Sequence, residues 1–170
     1  MNSSYKRYYL IDASAYARSV DLEYNIKNHV NHSFFGNISK GYFYYIPQFC
    51  IAEVFNVYAK WYYRKNKIDT AEYNRLCSNF KDMIHNRKVF YPYDLHRYHN
   101  LRCDEIYEIE QKTNRLKQGK PYLSTFDILI IAMGLELQHI HGKDNVVILS
   151  CDERLIKIAN LVNVKTEEFK

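Results

Sequence analysis

Short, continuously apolar runs alternate along this chain with longer stretches of helical character, and that alternation limits the folds open to it. YYLI at 8–11, YFYYI at 42–46 and VVIL at 146–149 are each too short for a helix and apolar throughout, as strands covered on both faces must be. A further short run at 89–91 stops at Pro92, and 164–166 reads as an added edge strand. Helical sequence fills the intervals. One helix is expected from 13 to about 28, followed by a polar, glycine-containing loop at 31–41. The next opens at Pro47, whose missing N–H would be unpaired in a first turn anyway, and runs to about 65. A third covers 69–87, capped by Asp69 or Thr70, with Leu76, Phe80, Met83 and Ile84 at helical spacing. A polar helix from about 94 to 118 ends before Gly119 and Pro121, so 69–118 reads as a helical hairpin. Ser124 or Thr125 caps a helix that stops near His141 and Gly142, and a last helix spans 152 to about 160. Strands alternating with helices predict an α/β protein with a parallel sheet and helices on both faces.

Composition narrows the class further. A chain of 170 residues without an obvious linker fits one domain, 1–170, and buries enough surface to need no covalent staple. Five glycines and three prolines are too few for a many-turned all-β fold. The start, MNSSYKRYY, lacks the apolar core of a signal peptide, and the longest apolar run, DILIIAMGLEL, is too short to span a bilayer. Cys50, Cys77, Cys103 and Cys151 form no CxxC pair, so free thiols in a reducing cytoplasm are expected. His96 with His99 and His139 with His141 have no cysteine at ligand spacing beside them, which disfavours zinc. A net charge of +5 is compatible with a nucleic-acid partner but is shared by many proteins that bind none. The 17 tyrosines offer surfaces for base stacking, though compositional bias accounts for them as well.

Four acidic residues stand where apolar surroundings make a carboxylate costly. Asp12 ends the first strand run. Glu53 lies in the early turns of an apolar helix, with Phe49 and Val57 four residues away. Asp127 is the sole charge between Ser124 and Leu135. Asp152 follows the run VVILS. Each has a bland reading. Asp12 and Asp152 are equally well explained as helix N-caps, whereas a complement to a helix dipole for Asp127 and a distant salt bridge for Glu53 are the weaker readings of those two. Taken together they would repel, and a hard divalent ion, Mg²⁺ or Mn²⁺, is the natural counter-charge. Asp12 and Asp152 lie at the carboxyl ends of strands, where open α/β sheets bind their ligands.

These pieces resemble a PIN domain. YYLIDASA is similar to the opening strand with its first acid and a following hydroxyl, here Ser14. IPQFCIAEVFNV is similar to the second motif with its glutamate. STFDILIIAMG is similar to the third, an aspartate opening a buried helix. VVILSCDERLIKIA is similar to the fourth, a strand ending in Ser or Thr, one residue, then Asp. The resemblance extends from Tyr8 to about Val164. It implies a three-layer α/β/α sandwich around a parallel sheet of four or five strands, and a Mg²⁺- or Mn²⁺-dependent nuclease acting on RNA. Many such domains are toxins of toxin–antitoxin pairs, so an antitoxin is an implied partner. By position, the metal-binding and catalytic residues would be Asp12, Glu53, Asp127 and Asp152, with Ser14 and Ser150 in support. The middle of the chain is longer than compact toxins need. Glu153 directly follows Asp152, where many members carry a further acid a few residues later.

RNA would be held by basic residues flanking the acids: Lys60, Arg64, Lys65 and Lys67 after the Glu53 helix, and Lys117 and Lys120 before the Asp127 helix. A solvated helix face explains either group equally well. A sheet or helix edge could pair two copies, but no sequence feature fixes a dimer interface. The alternative function is a PIN-fold module that binds RNA or a protein without cleaving. Other phosphate chemistry is disfavoured. Neither GxGxxG nor GxxxxGK[ST] occurs, and position 14 is Ser where a dehalogenase-type phosphatase carries a second Asp.

Overall fold

The strand runs expected from the sequence pair into one sheet. The structure is a computed structural model, and it describes residues 7–21, 41–86, 89–114 and 122–169. Strands β1 (Arg7–Ile11), β2 (Tyr42–Pro47), β3 (Phe90–Tyr93), β4 (Val146–Ser150) and β5 (Lys165–Glu168) lie in the order β3-β2-β1-β4-β5. Every neighbouring pair is parallel, with Leu10 of β1 opposite Tyr45 of β2 and Ile148 of β4. The helices are α1 (Ala13–Val20), α2 (Gln48–Ala59), α3 (Thr70–His85), α4 (Arg97–Asn114), α5 (Thr125–His141) and α6 (Glu153–Leu161).

Side chains on successive strand positions point to opposite faces, and here the aromatics sort the layers. Tyr9 stacks on Tyr44 at 5.5 Å, and Phe90 lies on the same face. There Tyr16 of α1 meets Phe80 of α3 at 4.6 Å and Phe90 at 5.3 Å. Tyr8, Phe43 and Tyr45 occupy the other face, where Tyr8 stacks on His141 at the end of α5 at 3.7 Å. Helices α1, α2 and α3 thus cover one side, and α4, α5 and α6 pack together on the other. The result is the expected α/β/α sandwich.

Several boundaries differ from expectation for local reasons. Strand β3 runs through Pro92 to Tyr93, because an edge strand has one partner and a proline there breaks no ladder bond. The α2 helix does reach Arg64, but its last turn, Lys60–Arg64, is π-helical, and the Lys65 N–H donates to the Lys60 carbonyl. Asp69 caps α3 by accepting from the Glu72 N–H. Helix α1 ends at Val20, with Asp21 already extended as its C-cap, and positions 22–28 of its expected span and most of the expected loop at 31–41 lie outside the described residues. Helix α4 starts at Arg97, three residues later than expected. The stretch expected as a hairpin, 69–118, holds α3 and α4 with β3 between them; α3 packs on α2 and β3, α4 on α5.

Helix α5 is apolar on nearly every side and correspondingly central, with Ile128 to Gly134 all buried. At Gly134 the backbone comes so close to the sheet that an added Cβ would stand 2.9 Å from Ile148 Cδ1 and 3.1 Å from Val164 Cγ1. A Gly134→Val variant should therefore lose about 1–3 kcal/mol through overpacking, despite the better helix propensity of any residue over glycine. Urea unfolding reads this directly, and an unchanged midpoint would mean that the helix–sheet gap is wider than described. No helix among the described residues is long and apolar enough to cross a membrane.

Candidate metal centre

Strands β1 and β4 are neighbours, but the chain leaves them in opposite directions, from β1 through α1 towards β2 and from β4 through α6 to β5. Their carboxyl ends therefore border a crevice of the kind in which open α/β sheets bind ligands. Asp12 follows β1 into it, anchored by its N–H to the Leu149 carbonyl at 3.0 Å. It occupies the N-cap position of α1 yet makes no side-chain capping bond. Its carboxylate is buried (6% exposed) and accepts instead from the hydroxyls of Ser14 and, at 2.7 Å, Ser150. Burial pushes the Asp12 carboxyl above the usual carboxylate range; the two hydroxyls oppose this, and the charge of Asp127 adds to it.

Helix α2 begins at the carboxyl end of β2, beside β1, and delivers Glu53 and Cys50, one turn apart, to the same crevice. One ligand atom from each of Asp12, Cys50 and Glu53 lies within 4.8 Å of the other two. Glu53 is half-buried. Burial and then the Asp12 charge raise its pKa; Asp127 adds to the rise, while Cys50 and Lys60 oppose it. Burial, with the charges of Asp12 and Glu53, holds the Cys50 thiol well above its ordinary value. Asp127 stands in the first turn of α5. Its Oδ2 accepts from the Ser124 N–H at 2.9 Å and the Ser124 hydroxyl at 2.8 Å, a capping box. Phe49 and Phe126, beside Cys50 and Asp127 in sequence, stack at 5.0 Å and hold the starts of α2 and α5 together.

Asp152 differs from the other three. It caps α6 through the N–H groups of Arg154 and Leu155, and the Arg154 guanidinium lies 3.0 Å from its carboxylate. Burial acts to raise its pKa, but the Arg154 side chain and those N–H groups outweigh it and hold the group below its ordinary value. Asp12, Glu53 and Asp127 thus share one electrostatic field, whereas Asp152 is engaged by its own helix. Ser14 and Ser150 both serve Asp12, and the Asp152 N–H donates to the Ser150 hydroxyl at 3.0 Å. Of the basic candidates, Lys60, Arg64 and Lys65 are exposed at the end of α2. Lys67 is tied to Asp21 at 2.7 Å and lies over the Trp61 ring, which gives it a fastening role. Lys117 and Lys120 lie outside the described residues.

Cys50 was not singled out by the sequence reading. Its signal was present, one helical turn before Glu53 on the same face, but a cysteine without CxxC spacing reads as a core thiol. Neither Asp12 nor Glu53 has an ion-pair partner among the described residues. A buried and a half-buried carboxylate whose hydrogen-bond partners are hydroxyls and a thiol, with no ion pair to either among the described residues, form a donor set that fits a divalent metal ion.

No protein-family model matches the chain, and neither does any curated protein. Among solved structures it is similar to a chain of VapBC2 from Rickettsia felis bound to a DNA fragment from their promoter, at 15% identity and a TM-score of 0.50. The likeness covers 96% of this chain and 99% of that one, and it is a likeness of fold.

Proposed function

We propose, from the PIN fold that this chain shares with that structure, that the protein is a divalent-metal-dependent nuclease cleaving RNA phosphodiester bonds. The observation that carries this reading is the convergence of the buried Asp12 and the half-buried Glu53, with Asp127 in their field, on the crevice between β1 and β4. Asp12, Glu53 and Asp127 would hold Mg²⁺ or Mn²⁺, and Asp152 would join them on giving up part of its contact with Arg154. Such an ion, when bound, offsets charge at the phosphate and acidifies water. Ser14 and Ser150 orient the Asp12 carboxylate, and the half-buried Glu53 would position the attacking water. The test is cleavage of a mixed RNA pool with and without Mg²⁺ or Mn²⁺. Cleavage equally strong in chelator would defeat the reading.

Substrate would run along the exposed end of α2, where Lys60, Arg64 and Lys65 stand near the half-exposed Tyr62 and the exposed Tyr63. Each phosphate contact made with a single strand contributes a salt slope of about 0.7. Replacing Lys60, Arg64 and Lys65 together by alanine should lower the slope of log affinity against log salt by up to about 2. An unchanged slope would remove them from the RNA path. A toxin role with an antitoxin partner accords with the likeness to a VapBC2 chain, and a homodimer is a further proposal that sizing the purified protein would test. One observation favours a second reading, a PIN-fold module that binds RNA or protein without cleaving: Asp152 already has a cationic partner in Arg154. Ion binding with no cleavage of any RNA pool would select it.

A further inference from the structure

We propose that Cys50 is a direct ligand in this centre, so that the site prefers Mn²⁺ and other ions of borderline softness to Mg²⁺. The inference rests on the metal-dependent reading above and specifies its ion. Two donors on opposite sides of an ion bound at ~2.0–2.3 Å are separated by roughly 4–4.6 Å, so ligand atoms that all lie within 4.8 Å of one another need only small side-chain rotations to share one. Cys50 is fully buried, and its thiol faces two carboxylates rather than apolar side chains alone. With an ion present, the thiol proton passes to the buffer, a metal–sulfur bond forms, and the thiolate joins the carboxylates around one positive centre. Thiolate favours softer ions, while Mg²⁺ takes oxygen. One sulfur among oxygen donors therefore shifts selectivity without excluding Mg²⁺. The Asp12 hydroxyl partners, Ser14 and Ser150, keep that carboxylate directed into the same space.

The experiment is titration of the purified full chain with Cd²⁺, followed by the ultraviolet thiolate-to-metal charge-transfer band, beside calorimetric titration with Mn²⁺ and Mg²⁺. Wild type should show the band. Cys50→Ser keeps a hydrogen-bond donor of similar size and should lose the band and weaken Cd²⁺ and Mn²⁺ binding by roughly 10–100-fold, with Mg²⁺ affinity little changed. Cys151→Ser should retain the band. Asp12→Asn should weaken it, which keeps the proposal testable if Cys50→Ser does not fold. A band that survives Cys50→Ser, or Mn²⁺ and Mg²⁺ binding that depends on Asp12 with no thiolate band, would overturn the role of Cys50 while leaving the nuclease reading intact. Failure of wild type to bind any of the three ions would overturn both.

Discussion

Asp12→Asn is expected to lower metal-dependent RNA cleavage by more than about 100-fold while leaving the protein folded. Loss of an outer-shell partner alone costs ~10–100-fold in many metal sites, and Asp12 is the most buried acid of this one. The substitution keeps the shape of the side chain and leaves an oxygen to accept from the Ser14 and Ser150 hydroxyls, so packing is preserved. It removes a charge whose burial is unfavourable without a cation, and the melting temperature in chelator should therefore hold or rise. Adding Mn²⁺ should stabilise wild type by mass action and leave Asp12→Asn unmoved. The two readouts separate the outcomes. Activity lost with stability retained supports the site; activity lost through unfolding says nothing about chemistry, and Glu53→Gln, at a half-exposed position, then serves in its place. Undiminished cleavage in both Asp12→Asn and Asp127→Asn would sink the carboxylate assignment.

His99→Ala should destabilise the protein by about 3 kcal/mol without touching the metal centre. His99 is fully buried at the start of α4. Its Nδ1 accepts from the His96 N–H at 2.9 Å, so in the neutral ring the proton sits on Nε2, which points at Glu136 Oε2 of α5 from 2.6 Å. The Tyr93 hydroxyl at the end of β3 donates to the same oxygen. The three groups fasten helix, strand and helix at one point, and truncation leaves both a cavity and an under-satisfied carboxylate. Burial acts to raise the pKa of Glu136, but Tyr93 and His99 outweigh it, so the folded value lies below the unfolded one. The stabilisation is therefore present above the ordinary glutamate range and is lost as pH falls through the lowered folded value. Glu136→Gln should flatten that part of the acid limb in a stability–pH profile. Superimposable acid limbs for wild type and Glu136→Gln would mean that the clamp is held by shape alone.

Helix and strand periods, caps and breakers act over a few residues, and they were legible accordingly. Spacing narrowed the caps of α3 and α5 to two residues each, of which the structure uses Asp69 and Ser124, and it gave the parallel α/β class. Pro92 misled because the sequence does not say that β3 has a neighbour on one side only. The π-helical turn after Ala59 carries no Gly or Pro to announce it.

The acids divide along the same line. Asp12 and Asp152 have the same local setting, each closing an apolar strand before a helix, and by sequence alone capping explains either equally well. The fold separates them. Asp152 caps α6, whereas Asp12 declines the cap of α1 and turns to a hydroxyl 138 positions away in the chain. That choice depends on β1 pairing with β4 and bringing Ser150 to Asp12, and on β2 delivering Cys50 and Glu53 to the same crevice. Sequence by itself determined the order of strands and helices and which acids adjoin apolar runs, because those properties are local. Which carboxylates share a field, and that a thiol stands among them, was decided by tertiary structure, because Coulomb energy and burial depend on distance through space and on what excludes water.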